Sequence, residues 1–278
     1  MKRIKKILIA CAFVYAVVLF GVFVFQRNLL YFSNPSYTRP ESAYPGAGIK
    51  ELTVKTEDGL DLKGWYFPAT LKPLTLVYFH GNADRLKSAT PIALPYVKAG
   101  YGFLIAEYRG YSGLPGSPSE DGLYKDARAF INKLIEKGIK QENIVLLGHS
   151  LGSGVATQMA TEFNVRGLML IAPFLSVSEM AQVRFPYFPA QFLAVDKFDN
   201  TQKISSLHLP LLIASGGKDL VIPPAQHKKL FELGNEPKQF YFSPESRHNN
   251  LFAADLYPVS FKWLDGLVGT KDNAVPVP

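Results

Sequence analysis

The stretch that decides the fold is Ile144-Val145-Leu146-Leu147-Gly148-His149-Ser150-Leu151-Gly152-Ser153. Four apolar residues run into a glycine-flanked serine, and a helical pattern follows over 153–162. A short, wholly apolar run suits a parallel strand covered on both faces. A serine on a tight turn between strand and helix is held in strained backbone geometry, with its hydroxyl projecting above the sheet. Such a turn crowds its neighbours, so the flanking positions must lack side chains. The five-residue pattern alone is common; the strand before it and the helix after it give it weight. Ser150 is the candidate nucleophile. His149, inside the turn, is expected to point away from it as a structural or pocket-lining residue.

Outward from this unit the pattern alternates. Strand candidates cover 51–56, 61–67, 74–79, 103–108, 144–147, 167–171, 211–214 and 239–242. The first two alternate in polarity and are joined by Glu57-Asp58-Gly59, a hairpin signal. Helical segments over 86–98, 123–137, 153–162, 224–233 and 251–267 fall between the later strands. This order predicts an α/β fold: a mostly parallel eight-stranded sheet with an antiparallel N-terminal hairpin and helices on both faces. Sites in such sheets lie beyond the carboxyl ends of the strands.

A serine hydroxyl needs a base to take its proton as it attacks. Of five histidines, His248 follows the last strand on a loop before the last helix, where a base belongs. His227 lies within the charged segment 224–233 and reads as a surface residue, while His208 precedes a strand, at the wrong end of the sheet. The base needs a carboxylate to fix its tautomer. Asp219, just after the strand 211–214, completes the order Ser150, Asp219, His248 of this fold. Asp196, Asp199 and Glu245 are the competing acids. Charge on the attacked carbonyl needs two backbone donors. The amide of Leu151, at a helix N-terminus, is one, and the amide of Asn82, on the loop His80-Gly81-Asn82-Ala83-Asp84, is the other. His80 is expected to brace that loop.

The N-terminus has a separate character. Residues 7–25 carry no charge over 19 positions, about 28 Å as a helix, close to a bilayer's hydrocarbon thickness. The run ends in Val22-Phe23-Val24-Phe25-Gln26-Arg27, too bulky for a signal-peptidase site, so an uncleaved anchor is expected. Lys2, Arg3, Lys5 and Lys6 precede the run and Arg27 follows it, which favours a cytoplasmic N-terminus with the body on the far side, periplasmic, extracellular or lumenal. The chain divides into an anchor (1–27), a proline-bearing tether (28–48), a catalytic domain (49–267) and a flexible tail (268–278).

The formal charge of +7 follows largely from the anchor's flanks. Those five residues removed, 25 basic residues face 23 acidic ones, which leaves no basic stripe for nucleic acid. The single cysteine, Cys11, excludes an internal disulfide and a cysteine-based metal site.

With these residues in place, the chain resembles the α/β-hydrolase superfamily and, more narrowly, the membrane-tethered abhydrolase-domain proteins that include protein depalmitoylases. The resemblance spans roughly 52–267. It rests on His80-Gly81-Asn82, Tyr108-Arg109-Gly110-Tyr111-Ser112-Gly113, Pro118-Ser119-Glu120-Asp121-Gly122, Gly148–Gly152, Ala172-Pro173-Phe174, Gly217-Lys218-Asp219 and Arg247-His248-Asn249. It implies the triad Ser150, Asp219 and His248 and an oxyanion hole at Asn82 and Leu151. Two departures stand out. Glu107 replaces the usual Asp before Tyr-Arg-Gly, and Glu245-Ser246-Arg247 replaces a glycine-rich segment, leaving Arg247 free to face the cleft. Arg109 is expected to tie loops together through a carboxylate such as Glu120 or Asp121. The stretch 174–199 occupies the place of a cap, too short for a separate domain, with Phe185-Pro186-Tyr187-Phe188-Pro189 and Phe192 offering an apolar rim.

The resulting expectation is hydrolysis of an ester or thioester of an acyl or lipid-like substrate, with no metal or organic cofactor. A serine aminopeptidase-like role on short peptides is the rival within enzymes. A non-catalytic membrane scaffold is the rival outside them.

Overall fold

The computed structural model describes residues 1–33 and 36–269. It begins with a 29-residue helix, α1 (Lys2–Leu30), about 43 Å long and apolar enough to cross a membrane. A single turn, α2 (Pro40–Ala43), leads into the hairpin of β1 (Lys50–Lys55) and β2 (Asp61–Phe67). Then come β3 (Thr75–Phe79), α3 (Leu86–Lys98), β4 (Gly102–Ala106), α4 (Glu120–Glu136), β5 (Ile144–His149), α5 (Leu151–Glu162) and β6 (Gly167–Ile171). The chain continues through α6 (Val177–Arg184), α7 (Ala190–Leu193), α8 (Asn200–Ile204), β7 (Leu211–Gly216), α9 (Pro224–Leu233) and β8 (Lys238–Ser243). It closes with a π-turn at Phe252–Leu256 and α10 (Tyr257–Gly269). The expected tail lies, from residue 270 onward, outside the described residues.

The eight strands form one sheet in the order β1-β2-β4-β3-β5-β6-β7-β8. The β1–β2 and β2–β4 pairs are antiparallel, and the other five are parallel. In β5, Ile144 and Leu146 enter the core on one face while Val145 and Leu147 enter the core on the other. That is why the run shows no polar alternation: with period-two side chains and helices on both faces, each position is interior. In β1, by contrast, Leu52 and Val54 are buried between exposed neighbours, as an edge strand requires.

The stretch read as a tether lies against the body. Tyr31 is buried, the Phe32 amide donates to Asn82 Oδ1 at 3.0 Å, and the Tyr44 ring meets Trp65 edge-on at 6.3 Å.

Candidate active site

β5 delivers Ser150 to the carboxyl edge of the sheet, where the chain turns into α5 with φ 51° and ψ −117° at the serine. A positive φ is uncommon for a residue with a side chain, and the tight packing around the turn sustains it. A Cβ at Gly152 would sit 1.9 Å from the Phe79 carbonyl oxygen, and one at Gly148 would sit 2.5 Å from the Gly152 carbonyl oxygen. Gly152 therefore lets α5 rest directly on the backbone of β3, and Gly148 lets the first turn of α5 rest directly on β5.

The loops after β7 and β8 bring two further groups to this edge. His248 Nε2 lies 2.9 Å from Ser150 Oγ, and its Nδ1 lies 2.7 Å from Asp219 Oδ2. An ionised carboxylate only accepts, so Nδ1 carries the proton and Nε2 presents its lone pair to the serine. The other oxygen, Asp219 Oδ1, accepts from the amides of Val221 (2.8 Å) and Ile222 (2.9 Å). Burial disfavours the charge on Asp219. The hydrogen bond from His248 and, whenever that ring is doubly protonated, its charge, helped by the two amides, nonetheless hold the Asp219 carboxyl below the usual carboxylate range.

Leu151, as the first residue of α5, has no helical carbonyl a turn earlier to receive its N–H. The Asn82 N–H has no backbone acceptor among the described residues. The Asn82 side chain is fully engaged: its carboxamide donates to the Leu30 carbonyl and accepts from Phe32 N and, at 2.8 Å, from the Tyr111 hydroxyl. That loop is thus fastened to the end of α1.

A cavity of about 520 Å³ opens over Ser150. Its lining comes from three directions: Leu19, Val22, Phe23 and Leu30 of α1; Val177, Met180, Phe185 and Phe188 of the cap stretch; and Phe174, Leu151, Leu220 and Ile222 of the body. Arg247 is not among the lining residues.

Residues 73–200 match the family described as serine aminopeptidase, S33. An uncharacterized protein of Mycobacterium tuberculosis is 35% identical over 243 residues, covering 84% of this chain and 86% of that one. The chain belongs to the α/β-hydrolase family. An uncharacterized membrane protein of Saccharomyces cerevisiae is 29% identical to this hydrolase, covering 84% of this chain and 86% of that one. The fold is also that of the Pyrococcus furiosus esterase, with a TM-score of 0.71 at 17% identity over 86% of this chain and 97% of that one.

Two sequence expectations for this α/β hydrolase need correction. His227 is not a surface residue. It is fully buried, its Nδ1 lies 2.8 Å from Ser215 Oγ, and its Nε2 lies 3.8 Å from Asp219 Oδ2. The charges of α9 belong to Lys228, Lys229 and Glu232, whereas Gln226, His227 and Leu230 form the face turned inward. The three-residue spacing from His227 to Leu230 was the available signal. Arg109 is bound neither by Glu120 nor by Asp121. Its guanidinium donates to Asp126 Oδ1 (2.8 Å) and, with two nitrogens, to Asp58 (2.7 and 3.0 Å). Glu120 instead accepts from the Tyr124 hydroxyl and Asp121 pairs with Lys125. Burial pushes the Asp126 carboxyl up to about 6, despite the Arg109 contact.

His149, His80 and several acids serve the frame. His149 Nε2 donates to the His248 carbonyl at 3.2 Å, and burial, then the charge of His248, lower its imidazole to about 4. His80 is enclosed, with Nδ1 on the Gly81 carbonyl at 2.8 Å and Nε2 on Glu107 at 2.6 Å. Burial works against its charge, but Glu107 outweighs it and raises the pKa. Glu107 also accepts from Ser112 Oγ and from the Leu86 amide, so it ties the β3–α3 connection to the β4–α4 connection. Asp199 caps α8, Glu245 pairs with Lys218, and Asp196 binds the base of α1.

Proposed function

We propose that this α/β hydrolase is a membrane-anchored serine hydrolase that cleaves an ester or thioester of an apolar acyl group through an acyl-enzyme. Ser150 Oγ attacks the acyl carbonyl carbon while its proton passes to His248 Nε2. The amides of Leu151 and Asn82 hold the oxyanion, and Asp219 keeps the imidazole oriented and balances its charge. As the C–O or C–S bond breaks, His248 gives the proton to the leaving oxygen or sulfur. A water, deprotonated by His248, then attacks the acyl carbon, and Ser150 recovers its proton as the carboxylic acid departs.

The observation that carries this reading is the unbroken chain from Ser150 Oγ through His248 to Asp219, at 2.9 and 2.7 Å, at the floor of an apolar cavity. The solved esterase of like fold is consistent with it. Ser150→Ala should abolish labelling by a fluorophosphonate probe and ester hydrolysis alike; persistent labelling rejects the assignment.

The family description favours a second reading, an aminopeptidase, which would need a free carboxylate to receive the substrate's amino group. The one carboxylate among the described lining residues, Asp196, is already held by Arg27 Nε (2.9 Å) and by the Tyr31 hydroxyl (3.1 Å). This favours the acyl ester. Aminoacyl amides turned over faster than acyl esters would reverse the preference. The basic residues before the span place the N-terminus in the cytoplasm and the body opposite, in this reading.

A further inference from the structure

One wall of the cavity over Ser150 is not part of the α/β body. Leu19, Val22 and Phe23 of α1 line it, and all three belong to the uncharged run 7–25. From there the lining continues along the same helix to Leu30, so the cavity follows α1 for about 16 Å, from the body end of the helix into its apolar span. The facing wall is the cap stretch. It reaches still further along α1: the Tyr15 hydroxyl donates to the Tyr187 carbonyl at 2.9 Å, and the Tyr15 and Phe188 rings lie 5.4 Å apart. Tyr15 stands ten residues before Phe25, about 15 Å deeper along the span. The cap displays Tyr187 at 88% exposure at this depth and Phe192 at 77% nearer the body end, beside the Gln26 contact of Leu193. Aromatic surface of this kind, clustered around a site mouth, belongs against lipid rather than water. At the body end, the wall is clamped where Asp196 accepts from Arg27, Tyr31 and the Glu120 amide.

We propose that α1 is a wall of the active site as well as an anchor, and that the substrate is an acyl chain of the same bilayer, entering sideways between α1 and the cap without crossing water. This rests on the serine-hydrolase reading of Ser150. The chain lies along α1 between Val22 and Met180, with its carbonyl at Ser150. Each methylene the cavity shelters then favours the longer substrate by about fourfold, until the cavity is full.

The test uses the full chain in phosphatidylcholine vesicles and a hexadecyl fluorophosphonate carrying a diazirine at the chain end. After the probe labels Ser150, irradiation should join its far end to peptides from α1 or the cap. Crosslinks confined to the α/β body overturn the inference and leave the hydrolase reading standing. Failure to label Ser150 at all overturns both. In parallel, Val22→Trp should lower the ratio of palmitoyl to butyryl ester kcat/KM at least tenfold. Phe20→Trp, on an exposed position of α1 outside the lining, should keep it within twofold. Equal ratios in the two variants would reject the wall. Faster turnover of the palmitoyl ester from a soluble albumin carrier than from vesicles would reject the bilayer as its source.

Discussion

Every residue of β5 is buried, whereas α1, α6 and α7 contain no buried residue among those described. The two regions meet at Ser150 and are held by different physics. The sheet is fixed by apolar side chains closed off from water on both faces, a force without direction that acts on every position. The outer layer is joined to it by a few directional bonds, such as Asp196 to the Glu120 amide and Asn82 to Leu30, and is held within itself by Arg27 to Asp196 and Tyr15 to Tyr187. The difference teaches how the labour is divided. In the proposed reading, the body sets the positions of reacting atoms, and the outer layer sets what can reach them.

Substituting members of the body tests that division. Asp219→Asn should lower kcat for an activated ester on the order of 10⁴-fold. The amide can still accept from Val221 and Ile222, but its NH₂ meets His248 Nδ1 and favours the wrong tautomer. The urea midpoint should hardly move; a large fall would show that the site and the fold are one unit, breaking the comparison.

Arg109→Ala should cost about 3–5 kcal/mol of stability in urea titration, because it strands the buried carboxylate of Asp126. A loss below about 1 kcal/mol would mean that side-chain packing alone holds the body.

The smallest effect is the dependence on pH. His149 and His227 are lowered to about 4, so their folded-state affinity for protons is below that of the unfolded chain. The stability tied to their neutrality is fully present above about pH 6.5 and is lost as pH falls toward 4, by up to about 2 kcal/mol for each at pH 5. Asp219, also held low, adds its loss only at more acid pH. Neither α1 nor the cap stretch contains a histidine, so the effect belongs to the body. Asp126 and His80, whose folded-state values are raised, work in the opposite direction over the same window and offset part of the loss. Unfolding curves at pH 7 and pH 5 should show the remaining fall, and His227→Gln should lessen it. An unchanged difference would show that His227 does not titrate with folding.

The sheet was legible because its strands are short apolar runs between turns, and the spans of α3 and α9 followed from their helical spacing. Ser150, His248 and Asp219 could be grouped from the sequence because each sits just past a strand, and their side chains do lie within hydrogen-bonding reach of one another. What escaped was long-range pairing. Nothing near Arg109 in the chain points to Asp58, 51 residues away. His227 was hidden by the lysines that follow it, since charge dominates the look of α9 more than its inward face does. The seat of α1 on the cap was invisible for another reason: a span that is apolar on all sides gives no mark of which side touches protein.

The contact of Gly152 with Phe79 has a consequence for tolerance to change. Where a helix is registered on a strand by main chain touching main chain, the reference points are atoms common to nearly all amino acids. Side chains deeper in the interior can therefore be exchanged for others of like volume while the serine oxygen keeps its address. Drift of the surrounding interior is uncoupled from the position of the Ser150 hydroxyl, and a methyl group added at residue 152 would be enough to end that independence.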